Sequence, residues 1–138
     1  MSDPDAALDE LFAAAIAARK NAYAPYSRFH VGAAAWGAGG GVFAGANVEN
    51  ASYPVGVCAE AVALAAMALS GERRLVAIAI VGPDGVTTTP CGACRQRILE
   101  FAGDGDPTVH VIGPDGTRLA FSARALLPHA FGPAALGR

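Results

Sequence analysis

The chain is poor in charge, in sulfur and in long apolar runs. Charged residues make up 16% of its 138 positions against 53% hydrophobic ones, a thin polar coat for a small protein, so some apolar surface is expected to be covered by other chains. The formal net charge is −2, and the tightest basic pair, Arg73-Arg74, directly follows Glu72. No basic stripe is available for a phosphate backbone, which argues against a nucleic acid polymer as partner. No apolar stretch reaches the ~20 residues of a membrane span. The acidic N-terminus lacks the basic-then-apolar order of a secretory signal, so a cytoplasmic location without membrane attachment is expected. Three cysteines, an odd number, suit metal binding in a reducing compartment better than a disulfide framework. The length fits one domain over residues 1–138.

Helical and extended patterns alternate along the chain. Over residues 5–20, Leu8, Leu11, Phe12, Ala15 and Ile16 recur at helical spacing, with acids first and bases last, as the helix dipole favours. Pro25 ends that pattern in a turn. Residues 31–36 and 42–47 read as strands joined by a glycine-rich hairpin, and 48–57 as a polar loop. Residues 58–69 predict a helix apolar nearly all round, which must be buried on most faces, against the sheet on one side and a second subunit on the other. The unbroken apolar run 75–81 predicts a central strand covered on both faces. Pro90 precedes the second cysteine-bearing helix, expected over 91–101, and strands follow at 108–112 and up to Phe121. A capped helical turn is expected over 122–127. The order predicts an α/β fold, a three-layer α/β/α sandwich on a central mixed five-stranded sheet.

All three cysteines lie in two short motifs, Cys58-Ala59-Glu60 and Pro90-Cys91-Gly92-Ala93-Cys94. Cys91 and Cys94 share a face if a helix begins there. Both motifs stand at expected helix N-termini, where free N–H groups and the dipole stabilise a thiolate. Three converging thiolates can hold one zinc ion per chain and leave its fourth tetrahedral position to water. A lone buried cysteine is usually inert, and a lone Cys-x-x-Cys also serves redox chemistry; the two motifs together are far more specific. Glu60 is not needed as a ligand. An acid in a first helical turn is often only favourable to the dipole, but this one enters a nearly uncharged helix that must be buried. A polar active site gives it a reason, as proton shuttle beside the metal. His30, His110 and His129 could in principle close the site as a fourth ligand. None has ligand-like spacing to a cysteine, and surface or packing positions are expected for them.

The stretches Ala22-Tyr23-Ala24-Pro25-Tyr26-Ser27-Arg28-Phe29, Gly45-Ala46-Asn47-Val48-Glu49-Asn50-Ala51-Ser52-Tyr53-Pro54, Cys58-Ala59-Glu60, Pro90-Cys91-Gly92-Ala93-Cys94-Arg95-Gln96 and Phe131-Gly132-Pro133 occur in that order. Together they resemble the small, homotetrameric type of cytidine deaminase over nearly the whole chain. The resemblance implies zinc on Cys58, Cys91 and Cys94, with Glu60 as proton shuttle. It implies that Asn47 and Glu49 bind the ribose hydroxyls, that Phe29 packs on the pyrimidine, and that the backbone around Ala59 recognises the base. Tyr53 and Phe131 are expected to line a neighbouring subunit's pocket, because active sites in that family are shared between subunits. The reaction implied is hydrolysis of free cytidine and 2′-deoxycytidine to the uridines with release of ammonia, in pyrimidine salvage.

One position departs from many similar proteins, which place an arginine directly after the catalytic glutamate; here it is Ala61. Three thiolates on Zn²⁺ leave a net charge of −1, and the expected compensation comes from the two helix N-termini together with Arg95. Two rival readings remain at this level: deamination of a modified aminopyrimidine nucleoside such as blasticidin S, and a structural zinc module with four protein ligands.

Overall fold

The first helix, α1 (Pro4–Arg19), forms where the acid Asp5 opens the first turn and Arg19 closes the last. The computed structural model describes residues 4–138. Leu11, Phe12 and Ala15 make the buried stripe of α1. The hairpin of β1 (Gly32–Gly37) and β2 (Val42–Ala46) follows, then α2 (Ala59–Leu69), β3 (Leu75–Val81), α3 (Gly92–Glu100), β4 (Thr108–Ile112) and β5 (Arg118–Ser122).

The strands form one sheet in the order β2-β1-β3-β4-β5. β3 and β4 run parallel across the α3 connection, and the other neighbours pair antiparallel, so the sheet is mixed. β3 lies in the middle, and of its seven residues only Val76 is exposed, as its apolar run predicts. α1 packs on one face, where Leu11, Phe12 and Ala15 meet Ala34, Ala77, Ala79 and Val81. α2 and α3 pack on the other, where Ala59, Ala63, Leu64, Met67 and Ile98 meet Ala33, Ala35, Ile78, Ile80, Val109 and Val111. The result is the three-layer α/β/α sandwich with a five-stranded mixed sheet.

Residues 122–127 form the capped turn expected of them: the Ser122 hydroxyl, at the end of β5, accepts from the Ala125 N–H at 3.1 Å, and the Leu126 N–H donates to the Ser122 carbonyl at 3.1 Å. The segment is also stapled by Asp106, which accepts from the Arg124 N–H and the Ser122 hydroxyl. Within one chain α2 is buried on one side only: Ala63, Leu64 and Met67 are covered, whereas Ala65 is exposed and Leu69 is 90% exposed. No helix among the described residues is long and apolar enough to cross a membrane.

Candidate metal centre and active site

Both cysteine motifs become helix starts. Cys58 is the N-cap of α2 and Cys91 the N-cap of α3, each with extended backbone, and Cys94 follows one turn into α3. The start of α2 presses on β2: a Cβ on Gly45 would stand 2.5 Å from the Ala63 nitrogen and 2.6 Å from the Ala59 oxygen. Only a residue without a side chain permits that approach. The other motif is held by Arg95, whose Nε donates to the Pro90 carbonyl at 2.8 Å and whose Nη1 donates to the Leu126 carbonyl at 3.0 Å.

The three Sγ atoms lie within 4.8 Å of one another, with Cys58 and Cys91 3.9 Å apart. A tetrahedral zinc with Zn–S bonds of ~2.3 Å spaces its sulfurs about 3.8 Å apart. The donor set therefore fits zinc without rearrangement of the helices. Among the described residues no histidine or carboxylate joins the group. His30 sits on an exposed loop with Nδ1 3.1 Å from the Arg28 carbonyl, and His110 packs against Phe12.

Burial pushes the Cys94 thiol well up, and the nearby Glu60 adds to that; burial also raises Cys58. Cys91 is pushed up by burial too, but the Cys94 N–H and the Cys94 and Cys58 thiols around its sulfur outweigh this and bring it below the usual range. That N–H approach falls short of a formal capping bond. Sulfurs so crowded take up a dication in exchange for protons. Glu60 is the buried charged side chain among the described residues, at 5% exposure. Burial raises its pKa, opposed by its own backbone N–H, the Cys94 thiol and Arg97. Arg97, one turn beyond Cys94, donates Nη1–H to the Cys94 sulfur at 3.4 Å.

These groups form part of the wall of a cavity of about 390 Å³. Val57, Cys58, Ala59 and Glu60 come from the start of α2, and Thr88, Thr89 and Cys91 from the approach to α3. Ser27, Phe29, Asn47, Glu49 and Tyr53 line the remainder. Two side chains tie that last wall together. Asn47 accepts from the Val31 N–H at 2.9 Å through Oδ1 and donates from Nδ2 to the Phe29 carbonyl at 2.8 Å. Glu49 Oε1 accepts from the Tyr26 and Ser27 N–H groups, both at 3.1 Å, and Oε2 accepts from the Ser27 hydroxyl. The Ser27 Oγ in turn accepts from the Phe29 N–H at 2.9 Å. Between them Arg28 takes the left-handed conformation with φ 58°.

The structure thus brings Phe29, Asn47, Glu49, Tyr53, Ala59 and Glu60 to one cavity with Cys58 and Cys91. Cys94 closes the sulfur triangle from behind. Phe131 is not brought there within one chain: it lies 63% exposed, with its carbonyl accepting from Gln96 Nε2 at 2.8 Å. Sequence reasoning missed Thr88 and Thr89, whose signal was the Thr87-Thr88-Thr89 run just before the second motif. It also named Arg95 as the compensating cation. Arg95 is committed to two carbonyls, and the guanidinium on a sulfur belongs to Arg97.

A metal triad with an open corner beside a buried acid is the equipment of hydrolytic zinc enzymes, and the geometry assigns the chain to that class. Comparison with known proteins narrows it. Residues 6–109 match the family described as the cytidine and deoxycytidylate deaminase zinc-binding region. A cytidine deaminase from Halalkalibacterium halodurans is 45% identical over 117 residues, covering 85% of this chain and 88% of that protein. One from Mycobacterium tuberculosis is 43% identical over 129 residues, covering 94% and 92%. The crystal structure of cytidine deaminase from Burkholderia pseudomallei superposes with a TM-score of 0.82 at 46% identity, covering 89% of this chain and 98% of that one. The chain belongs to the zinc-binding cytidine and deoxycytidylate deaminase family.

Proposed function

We propose that the protein hydrolyses free cytidine and 2′-deoxycytidine to uridine and 2′-deoxyuridine, releasing ammonia. The observation that carries this is the convergence of three sulfurs and one buried carboxylate at a cavity of nucleoside size. Cys58, Cys91 and Cys94 hold one zinc ion. When bound, zinc supplies a Lewis acid that makes water nucleophilic near neutral pH. Glu60 would take the proton that the water loses and pass it to the ring nitrogen beside C4; it would then take the second proton, from the oxygen added at C4, and deliver it to the departing amine. Its burial suits it to hold a proton in transit. Phe29 packs on the pyrimidine, and the backbone at Ala59 reads its polar edge.

For Asn47 and Glu49, donor and acceptor counting supports a sugar site. Asn47 spends one N–H and one lone pair on the backbone, so one of each remains. Glu49 accepts three hydrogen bonds, leaving one of its roughly four acceptor positions. Together they can satisfy a ribose hydroxyl pair while still holding their own loop. Tyr53 and Phe131, 75% and 63% exposed, complete the site of a neighbouring subunit in a homotetramer. The bare side of α2, ending in Leu69, supplies apolar surface for such an assembly. The setting is pyrimidine salvage in the cytoplasm.

The test is purified protein with cytidine, following uridine and ammonia together with zinc per chain. Equal uridine and ammonia with one zinc per chain is expected. Zinc-loaded protein that leaves both nucleosides intact overturns the reading, and turnover of blasticidin S instead moves the substrate to a modified aminopyrimidine nucleoside.

A further inference from the structure

Charge counting around the metal centre leaves a remainder. Three thiolates on one Zn²⁺ carry a net charge of −1, and the buried carboxylate of Glu60 lies beside the Cys94 sulfur. An uncompensated negative cluster beside a buried acid weakens metal retention and blunts the metal as a Lewis acid. The helix N-termini supply only partial charge. Of the two arginines near the sulfurs, Arg95 spends its guanidinium on the carbonyls of Pro90 and Leu126. Arg97 points its guanidinium at the Cys94 sulfur, one helical turn back, at 3.4 Å.

We propose that Arg97 is the residue that neutralises the metal centre. Its Nη1–H donates to the Cys94 thiolate, balances the charge left by three sulfurs on one zinc, and reduces electron donation from that sulfur to the metal. It is not among the residues that line the cavity, so it acts as a positioning and charge-balancing residue through Cys94. Because the contact is stronger to a ligated thiolate than to a neutral thiol, zinc binding and the Arg97 bond reinforce each other. The inference rests on the zinc reading of the three cysteines and not on the identity of the nucleoside.

The position also makes a clean experiment possible. Arg97 is exposed on the solvent side of α3, and Met and Lys are both good helix formers, so Arg97→Met and Arg97→Lys should fold. Zinc affinity is measured by competition with a chelator, and thiolate-to-metal charge transfer is read on the cobalt(II)-substituted protein. Arg97→Met should weaken zinc binding about tenfold, the lower end of what partners of metal ligands contribute. It should also move the charge-transfer band to lower energy, because the sulfur regains donor strength. Arg97→Lys, which keeps the charge, should recover most of both. A purely structural role would leave the band where it is. Zinc affinity for Arg97→Met within twofold of the parent, with an unmoved band, overturns the proposal. Neither readout uses a nucleoside, so a failure here leaves the deaminase reading standing, and a failure of cytidine turnover leaves this result interpretable.

Discussion

The cavity has two halves built on different principles. The metal half stands on the first turns of α2 and α3, where backbone dipoles, close packing at Gly45 and the Arg95 brace fix the sulfurs from behind. The half proposed for the nucleoside is loop chain, residues 23–31 and 47–57, pinned by short backbone bridges of Val48 to Tyr23 and Val57 and by side chains of one segment that bond the backbone of the other. In the first half the functional atoms are supported by other residues. In the second the residues proposed to bind the sugar, Asn47 and Glu49, are themselves among the supports. Substitutions should therefore separate cleanly in the metal half, chemistry from stability, and should not separate in the nucleoside half.

The largest expected effect tests the first claim. Glu60→Gln keeps shape and removes the proposed proton carrier, so kcat should fall ~10²–10⁴-fold with zinc content unchanged. Removing a buried charge also relieves a desolvation cost, so the variant should be at least as heat-stable as the parent. Steady-state kinetics, metal analysis and a thermal melt check this together. Turnover within tenfold of the parent would remove Glu60 from the chemistry. A large loss of stability would instead break the contrast between the two halves.

Asn47→Ala tests the second claim and should do two things at once. It removes the proposed contacts to the sugar, raising KM for cytidine, and it strands the partly buried Val31 N–H, while the exposed Phe29 carbonyl can turn to water. A buried backbone group left without a partner costs ~1–3 kcal/mol, so the melting temperature should fall along with affinity. If KM rises with no change in stability, the loop does not depend on Asn47, and the two halves are less different than the hydrogen bonds suggest.

The same contrast explains what could be read from the residues alone. Cys58, Cys91 and Cys94 were legible because ligand chemistry requires that residue type and helix geometry requires that spacing, and Glu60 stood out as an acid entering a helix that had to be buried. The central position of β3 was legible because an apolar run such as Leu75–Val81 has no other stable place. Asn47 and Glu49 were recognisable only by resemblance, since a polar loop residue looks the same whether it holds its own loop or a ligand. Their backbone bonds run to Phe29, Val31, Tyr26 and Ser27, partners 16 to 23 positions away, which no local pattern announces. Arg95 and Arg97 were equally opaque, because two positions along a helix separate them by about 200° and only the packing of residues 122–127 shows which way each side chain goes.

The smallest effect concerns the far face of the sheet and serves as a control on both halves. His110 on β4 lies against Phe12 of α1 with ring centroids 6.3 Å apart, and Arg118 of β5 stacks over the same Phe12 ring while pairing with Asp9 of α1 at 2.6 Å. Burial lowers the His110 pKa from 6.5, and the Arg118 charge lowers it further. The unfolded chain therefore takes up this proton first as pH falls, so the folded state loses stability from about pH 6.5 down through the lower folded value and is unaffected above. His110→Leu should abolish that increment. The measurement is the difference in melting temperature between parent and variant across pH 5–8, in which acid loss of metal is common to both chains and cancels. A difference that stays constant with pH would show that His110 does not titrate in this way, and the acid sensitivity of the fold would then have to arise on the metal side of the sheet.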